Sequence, residues 1–211
     1  MLKAKQINEV FERFFANKPD PKIELDYSCP FTLLVAVVLS AQATDKGVNR
    51  VTPKLFEIAS TPQKMIELGE EKLKEIIKSI GLYNAKAKNI ILMSKALIER
   101  FGGEVPASMI ELTSLPGVGR KSANVILNCV FNEPTIAVDT HIFRVSNRIG
   151  FCKTNTPEKT ELELMKKVPS RWRPKAHFWL VLHGRYTCKA RKPECGSCII
   201  NDICEYKYKC F

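Results

Sequence analysis

The sequence predicts an all-α protein, and three observations carry that expectation. Apolar residues recur at helical spacing through most of the chain, as at Ile7, Val10, Phe11 and Phe14 and again at Ile90, Ile91, Met93, Leu97 and Ile98. No segment shows a convincing strand-like alternation. Helix starts are written as a capping hydroxyl followed by proline, at Thr61-Pro62 and Thr156-Pro157. These signals divide the chain into roughly ten short helices.

In chain order, the first helix presents Ile7, Val10, Phe11 and Phe14 on one face. The stretch Pro30 to Ala43 is apolar on all sides and reads as a central buried helix. Ala85 to Phe101, closed by Gly102-Gly103, turns a lysine-bearing face toward water. Pro106 opens another short helix. Leu112 to Lys121 lies between two helical patterns, the second showing Ala123, Ile126, Leu127 and Val130 on its apolar face. Near Cys188 periodicity stops, and basic residues, cysteines, glycine and proline take over as a separate module.

With 211 residues, 45% of them hydrophobic, the chain can bury a core without staples. A surplus of +11 favours a polyanionic partner and excludes an acidic tail or linker. The longest apolar run, Phe31 to Ala41, falls short of the roughly 20 residues a bilayer crossing needs, so no membrane span is expected. Met1 leads directly into an amphipathic pattern with no apolar leader, which places the chain in the cytoplasm. Of eight cysteines, five lie in the last 24 residues, a local cluster and not a secreted disulfide framework.

Leu115-Pro116-Gly117-Val118-Gly119-Arg120-Lys121 forms a tight glycine turn between two helices. Two glycines flanking one residue let a ligand approach the backbone, and the N–H groups opening the next helix point outward at its positive end. Such a turn holds a phosphate, or serves only as a helix connection. Lys121 sits in the first turn of that helix beside Arg120, where the local field lowers a lysine pKa. It is either a phosphate-contacting surface lysine or, as a neutral amine, a nucleophile. Asp139, in Val138-Asp139-Thr140-His141, has the position of a helix N-cap. A carboxylate kept ionised by backbone N–H groups also suits it to stabilise a cation or accept a proton.

Cys188-x6-Cys195-x2-Cys198-x5-Cys204 puts four thiols within 17 residues. One Cys-x-x-Cys flanked by single cysteines favours an iron–sulfur cluster over zinc, with zinc still open. The loop after Cys188 carries Lys189, Arg191 and Lys192, either a solvated face or cations presented to a polyanion. His141, His177 and His183 form no recognisable ligand set.

The hairpin run Leu115 to Asn124, then Val138-Asp139-Thr140-His141, then Cys188 to Cys204, closely resembles the endonuclease III family of helix-hairpin-helix DNA glycosylases. The resemblance extends from Ser40-Ala41-Gln42-Ala43-Thr44-Asp45 through Ile80-Gly81-Leu82-Tyr83 to Glu205-Tyr206; Cys210 and the basic end are less typical. It implies a two-domain helical fold: residues 23–133 carrying the helix-hairpin-helix (about 108–127), and residues 1–22 with 134–211 carrying the cluster module, 188–204. DNA would run between them, with Lys121 and Asp139 facing each other at the groove mouth.

The implied activity is bifunctional: excision of oxidised pyrimidines from duplex DNA, then strand cleavage at the abasic site by β-elimination. Lys121 takes the nucleophile's role and Asp139 that of the catalytic carboxylate. Gln42 fills the space opposite the extruded nucleotide, Leu82 wedges the stack, and Gly117, Val118 and Gly119 receive phosphate, joined by Lys189, Arg191 and Lys192. Cys188, Cys195, Cys198 and Cys204 hold a [4Fe-4S] cluster, read as a rigid pin. The partner is damaged or abasic duplex DNA, the chain a monomer near the nucleoid. The competing expectation is a non-catalytic or monofunctional lesion-binding protein.

Overall fold

The computed structural model describes residues 1–211. Its regular structure is wholly helical: α1 (Ala4–Asn17), α2 (Pro30–Ser40), α3 (Asp45–Asn49), α4 (Thr52–Ile58), α5 (Pro62–Leu68), α6 (Glu70–Ile77), α7 (Tyr83–Phe101), α8 (Met109–Thr113), α9 (Arg120–Phe131), α10 (Thr140–Ile149), α11 (Pro157–Lys167) and α12 (Arg173–Tyr186), with a 3-10 turn at Ser170–Trp172. The chain folds into two units, one of Glu24–Phe131 and one of Met1–Ile23 with Asn132–Phe211.

The continuous unit is built around α2. Residues Phe31 to Leu39 are all buried, because neighbours including α3, α7 and α9 pack around it. Pro30 occupies the first helical position, where its missing N–H costs nothing, and Thr32 Oγ1 accepts the Cys29 N–H at 2.9 Å. The helix stops at Ser40, three residues short of the expected Ala43, because Gln42 turns into the left-handed region (φ 53°). Thr61 caps α5 as expected, accepting the Lys64 N–H at 3.3 Å.

Helix α7 starts at Tyr83, two residues before the sequence-based boundary, and Gly102 ends it at φ 61°. Its lysines do not all face water: Lys86 is buried. Pro106 does not open a helix. It is buried ahead of α8, which begins after Ser108, whose hydroxyl accepts the Glu111 N–H. A side-chain acceptor starts this helix; a fixed φ does not. On α9, Val130 is only half-buried, and Asn124 and Asn128 join the buried face.

The discontinuous unit centres on α10 packed against α12. Gly184 makes that crossing possible, since a Cβ there would come within 2.9 Å of the His141 Cβ. Phe11 of α1 stacks on Phe151 at 5.7 Å between ring centres and meets Phe14 edge-on. Ile142, Val145, Ile149, Leu164, Leu180 and Ile200 complete the core. Thr156 caps α11, accepting the Lys159 N–H at 3.3 Å.

Candidate functional site

In the continuous unit, α8 and α9 form a helical hairpin whose turn is set by two apolar pegs. Leu115 and Val118 are buried, and the Val118 N–H donates to the Leu115 carbonyl at 3.1 Å. With Val118 pointing inward, the exposed parts of the turn are Gly117 and Gly119. The two glycines have different reasons. Gly117 sits at φ 80°, and a Cβ there would lie 3.0 Å from the Asn89 Cβ, so the fold itself demands glycine. Gly119 has an ordinary φ and nothing within 4 Å of where a Cβ would be. Nothing inside the protein asks for glycine there; an external ligand approaching the backbone would.

Gly119 accepts the first bond of α9, from the Ala123 N–H at 2.9 Å. The exposed Arg120 and Lys121 follow directly in a first turn that holds no acidic residue. This end combines the helix's positive pole with two cations, an anion-receiving surface from which an amine projects.

The same unit displays Gln42 and Leu82, both exposed and both in the left-handed region at φ 53° and 60° without being glycine. Their loops are neighbours: a Cβ on Gly81 would lie 3.9 Å from the Gln42 carbonyl oxygen. Backbone strain of this kind persists where the surroundings over-determine it.

In the discontinuous unit, Asp139 caps α10 as expected, its Oδ1 accepting the Ile142 N–H at 2.8 Å. It is half-buried behind the buried run Ile136 to Val138. Arg144, five residues on, donates to the Gly184 carbonyl at 2.8 Å and to the Cys188 carbonyl at 3.2 Å. Burial lowers its pKa, while the Asp139 charge acts the other way.

Cys188, Cys195, Cys198 and Cys204 line one pocket together with Ile149, His183, Pro193 and Tyr206. Cys210 is exposed outside it. No three His, Cys, Asp or Glu side chains form a set tight enough for a single metal ion. Burial pushes the Cys198 and Cys204 thiols up, and the negative charge of the other cysteines adds to the effect. Such thiols ionise together only against strong positive charge, and the irons of a cluster supply it. His183, kept neutral by burial with its pKa near 4, lies with Nε2 4.0 Å from Cys198 Sγ.

The loop between the first two cysteines is held by Arg148 of α10. Its guanidinium donates to the Lys189 carbonyl at 2.7 Å and the Ala190 carbonyl at 3.0 Å, approaches Cys188 Sγ at 3.8 Å, and lies 4.6 Å over the Tyr206 ring. Arg191 and Lys192 are exposed, whereas Lys189 is paired with Glu194. Neither Arg144 nor Arg148 stands out in the sequence as a site residue. They stand one helical turn apart on α10, but the carbonyls they hold lie about forty residues away.

An all-helical chain with this hairpin falls in the HhH-GPD superfamily of base excision DNA repair proteins, whose family model matches residues 35–170. A second model, the iron–sulfur binding domain of endonuclease III, matches residues 188–204. Endonuclease III from Escherichia coli (strain K12) is 56% identical over 209 residues, covering 99% of both proteins. The Rickettsia conorii endonuclease III is also 56% identical, covering 98% of this chain and 99% of the relative. A solved structure of a trapped endonuclease III–DNA covalent intermediate matches with a TM-score of 0.91 at 45% identity over 97% of each chain. The chain belongs to the endonuclease III family. It is accordingly a base excision DNA repair enzyme that carries an iron–sulfur cluster.

Proposed function

We propose that the chain removes oxidised pyrimidines from duplex DNA and then cuts the strand at the resulting abasic site, with Lys121 as nucleophile and Asp139 as catalytic carboxylate. The observation that carries this reading is the exposed Lys121 in the first turn of a twelve-residue helix, directly after a turn whose Gly119 has no internal reason to be glycine. A covalent protein–DNA intermediate has been trapped in a close relative. Such an adduct needs a nucleophile, and Lys121 offers an exposed amine directly after the glycine turn.

The target nucleotide leaves the stack, at lower cost where the base is damaged. The Lys121 amine forms a bond to C1′ as the glycosidic bond breaks and the base departs. Ring opening gives a Schiff base, which acidifies the C2′ hydrogen; loss of that proton expels the 3′ phosphate. The Asp139 carboxylate, held in place as a helix cap, stabilises the positive charge developing on the sugar and assists proton transfer. Gly117 and Gly119 receive backbone phosphate, with Val118 serving through its place in the turn. Gln42 occupies the space opposite the extruded nucleotide and Leu82 enters the stack.

Cys188, Cys195, Cys198 and Cys204 ligate the [4Fe-4S] cluster, which when bound ties residues 188–204 together and brings redox-active iron. The loop so fixed presents Arg191 and Lys192 to phosphates, with Lys189 available once it leaves Glu194. The same reading has the enzyme act as a monomer on DNA in the cytoplasm, at the nucleoid.

Borohydride trapping on a duplex with one oxidised pyrimidine tests the assignment. Wild type yields a covalent adduct and Lys121→Ala none; absence of the adduct in wild type leaves the monofunctional or non-catalytic reading. Asp139→Asn keeps a good helix cap and so is expected to hold stability within about 0.5 kcal/mol. Base release should nevertheless slow by roughly 100-fold, with DNA affinity little changed. A parallel loss of affinity points instead to structural damage.

A further inference from the structure

The end of α2 raises a question that the catalytic assignment does not answer. A helix leaves its last four carbonyls without intrahelical partners. Here each is claimed: Val37 by the Ser40 hydroxyl at 2.8 Å, Val38 by the Ala41 N–H at 3.4 Å, Ser40 by the Ala43 N–H at 3.0 Å, and Leu39 by the Lys86 ammonium at 2.9 Å. Three of the donors are local. The fourth comes from α7, and it is a cation where the last turn of α2 has none of its own.

Lys86 is 5% exposed, and burial pushes its pKa down, so a charged side chain is kept here against a desolvation cost. Its backbone is engaged as well: the Lys86 N–H donates to the Leu82 carbonyl at 3.0 Å, the first bond of α7. One residue therefore grips Leu82 through its main chain and, through its side chain, the carbonyl three residues before Gln42.

We propose that Lys86 is a positioning residue that locks the Gln42 and Leu82 loops to each other, so that both side chains enter the DNA stack as one rigid unit. This rests on the reading in which those two side chains probe the duplex. The geometry explains why two adjacent non-glycine residues hold left-handed backbone on exposed loops: the tie beneath them fixes where α2 ends and where α7 begins. A probe pair on independently moving loops would spend its insertion on ordering itself; a tied pair arrives ordered.

The test compares single-turnover excision of one oxidised pyrimidine in a fully paired duplex with excision of the same lesion in an unpaired bubble, where no stack has to be opened. The full-length, cluster-loaded protein is used throughout. Lys86→Met removes the donor while preserving volume; it is expected to slow excision from the paired duplex roughly 10- to 100-fold and to leave the bubble rate within about twofold. Lys86→Arg, which restores a cationic donor, is expected to recover most of the paired-duplex rate. If Lys86→Met does not fold, Lys86→Gln carries the same comparison.

Equal rates on paired DNA, or equal losses on both substrates, overturn the proposal. A Gln42→Ala/Leu82→Ala double variant separates the two ideas. If it also shows no preference between substrates, the probing roles themselves fail. If it slows only on paired DNA while Lys86→Met does not, the tie alone fails.

Discussion

The glycine turn with the first residues of α9 (residues 114–121) and the cysteine loop of residues 188–204 both present backbone and cations at the surface, but they are held in different ways. The turn is shaped from within: Leu115 and Val118 are buried beneath it, and Gly117 fits against Asn89 where no side chain would. The loop has no helix or strand of its own. It is anchored by Ile200 in the core, by Arg13 on Asp202 and by Arg148 reaching its carbonyls, and its four thiols converge on one pocket. Buried apolar pegs shape the first surface; the second hangs on a few distant side chains, and a cluster held by its four cysteines would add a covalent brace.

That contrast is sharpest when the brace is removed. Loss of the cluster, by Cys198→Ser or by oxidative disassembly, should release residues 188–204 from protection in amide hydrogen exchange and remove most of that loop's contribution to DNA affinity. The hairpin amides of α9 should keep their protection. If the hairpin loosens equally, the two surfaces are not independently organised.

A smaller effect is expected within the turn. Gly117→Ala meets Asn89 and forces an alanine into positive φ, which should cost about 2 kcal/mol by denaturant unfolding. Gly119→Ala should leave stability within about 0.5 kcal/mol, since its methyl meets only open space. It should still weaken DNA binding, because a Cβ then stands where a phosphate would approach. A Gly119→Ala protein that binds DNA as wild type does would remove the turn from the interface.

How much of this was legible in the sequence follows the same division between local and distant causes. Thr61, Thr156 and Asp139 act on residues three positions away, so their capping roles can be read directly. The four cysteines announce themselves through spacing. Pro106 misleads because proline tolerates a helix start without being needed for one, and Ser108 supplies the acceptor that α8 uses. Lys86 looks like any lysine on an amphipathic helix, and its burial depends on a carbonyl 47 positions earlier. Arg144 and Arg148 are hidden for the same reason, because their partners are main-chain atoms that any residue could have supplied. Side chains that bind backbone across the fold leave no pattern in composition or periodicity.

The nucleophile assignment is tested most directly by locating the covalent link. After borohydride trapping on a duplex containing one oxidised pyrimidine, the adduct is digested and the nucleotide-bearing peptide identified by mass spectrometry. The added mass should fall on the peptide containing Lys121, at its ε-amine. Finding it on another lysine, or on the amine of Met1, would contradict the catalytic role given to the first turn of α9.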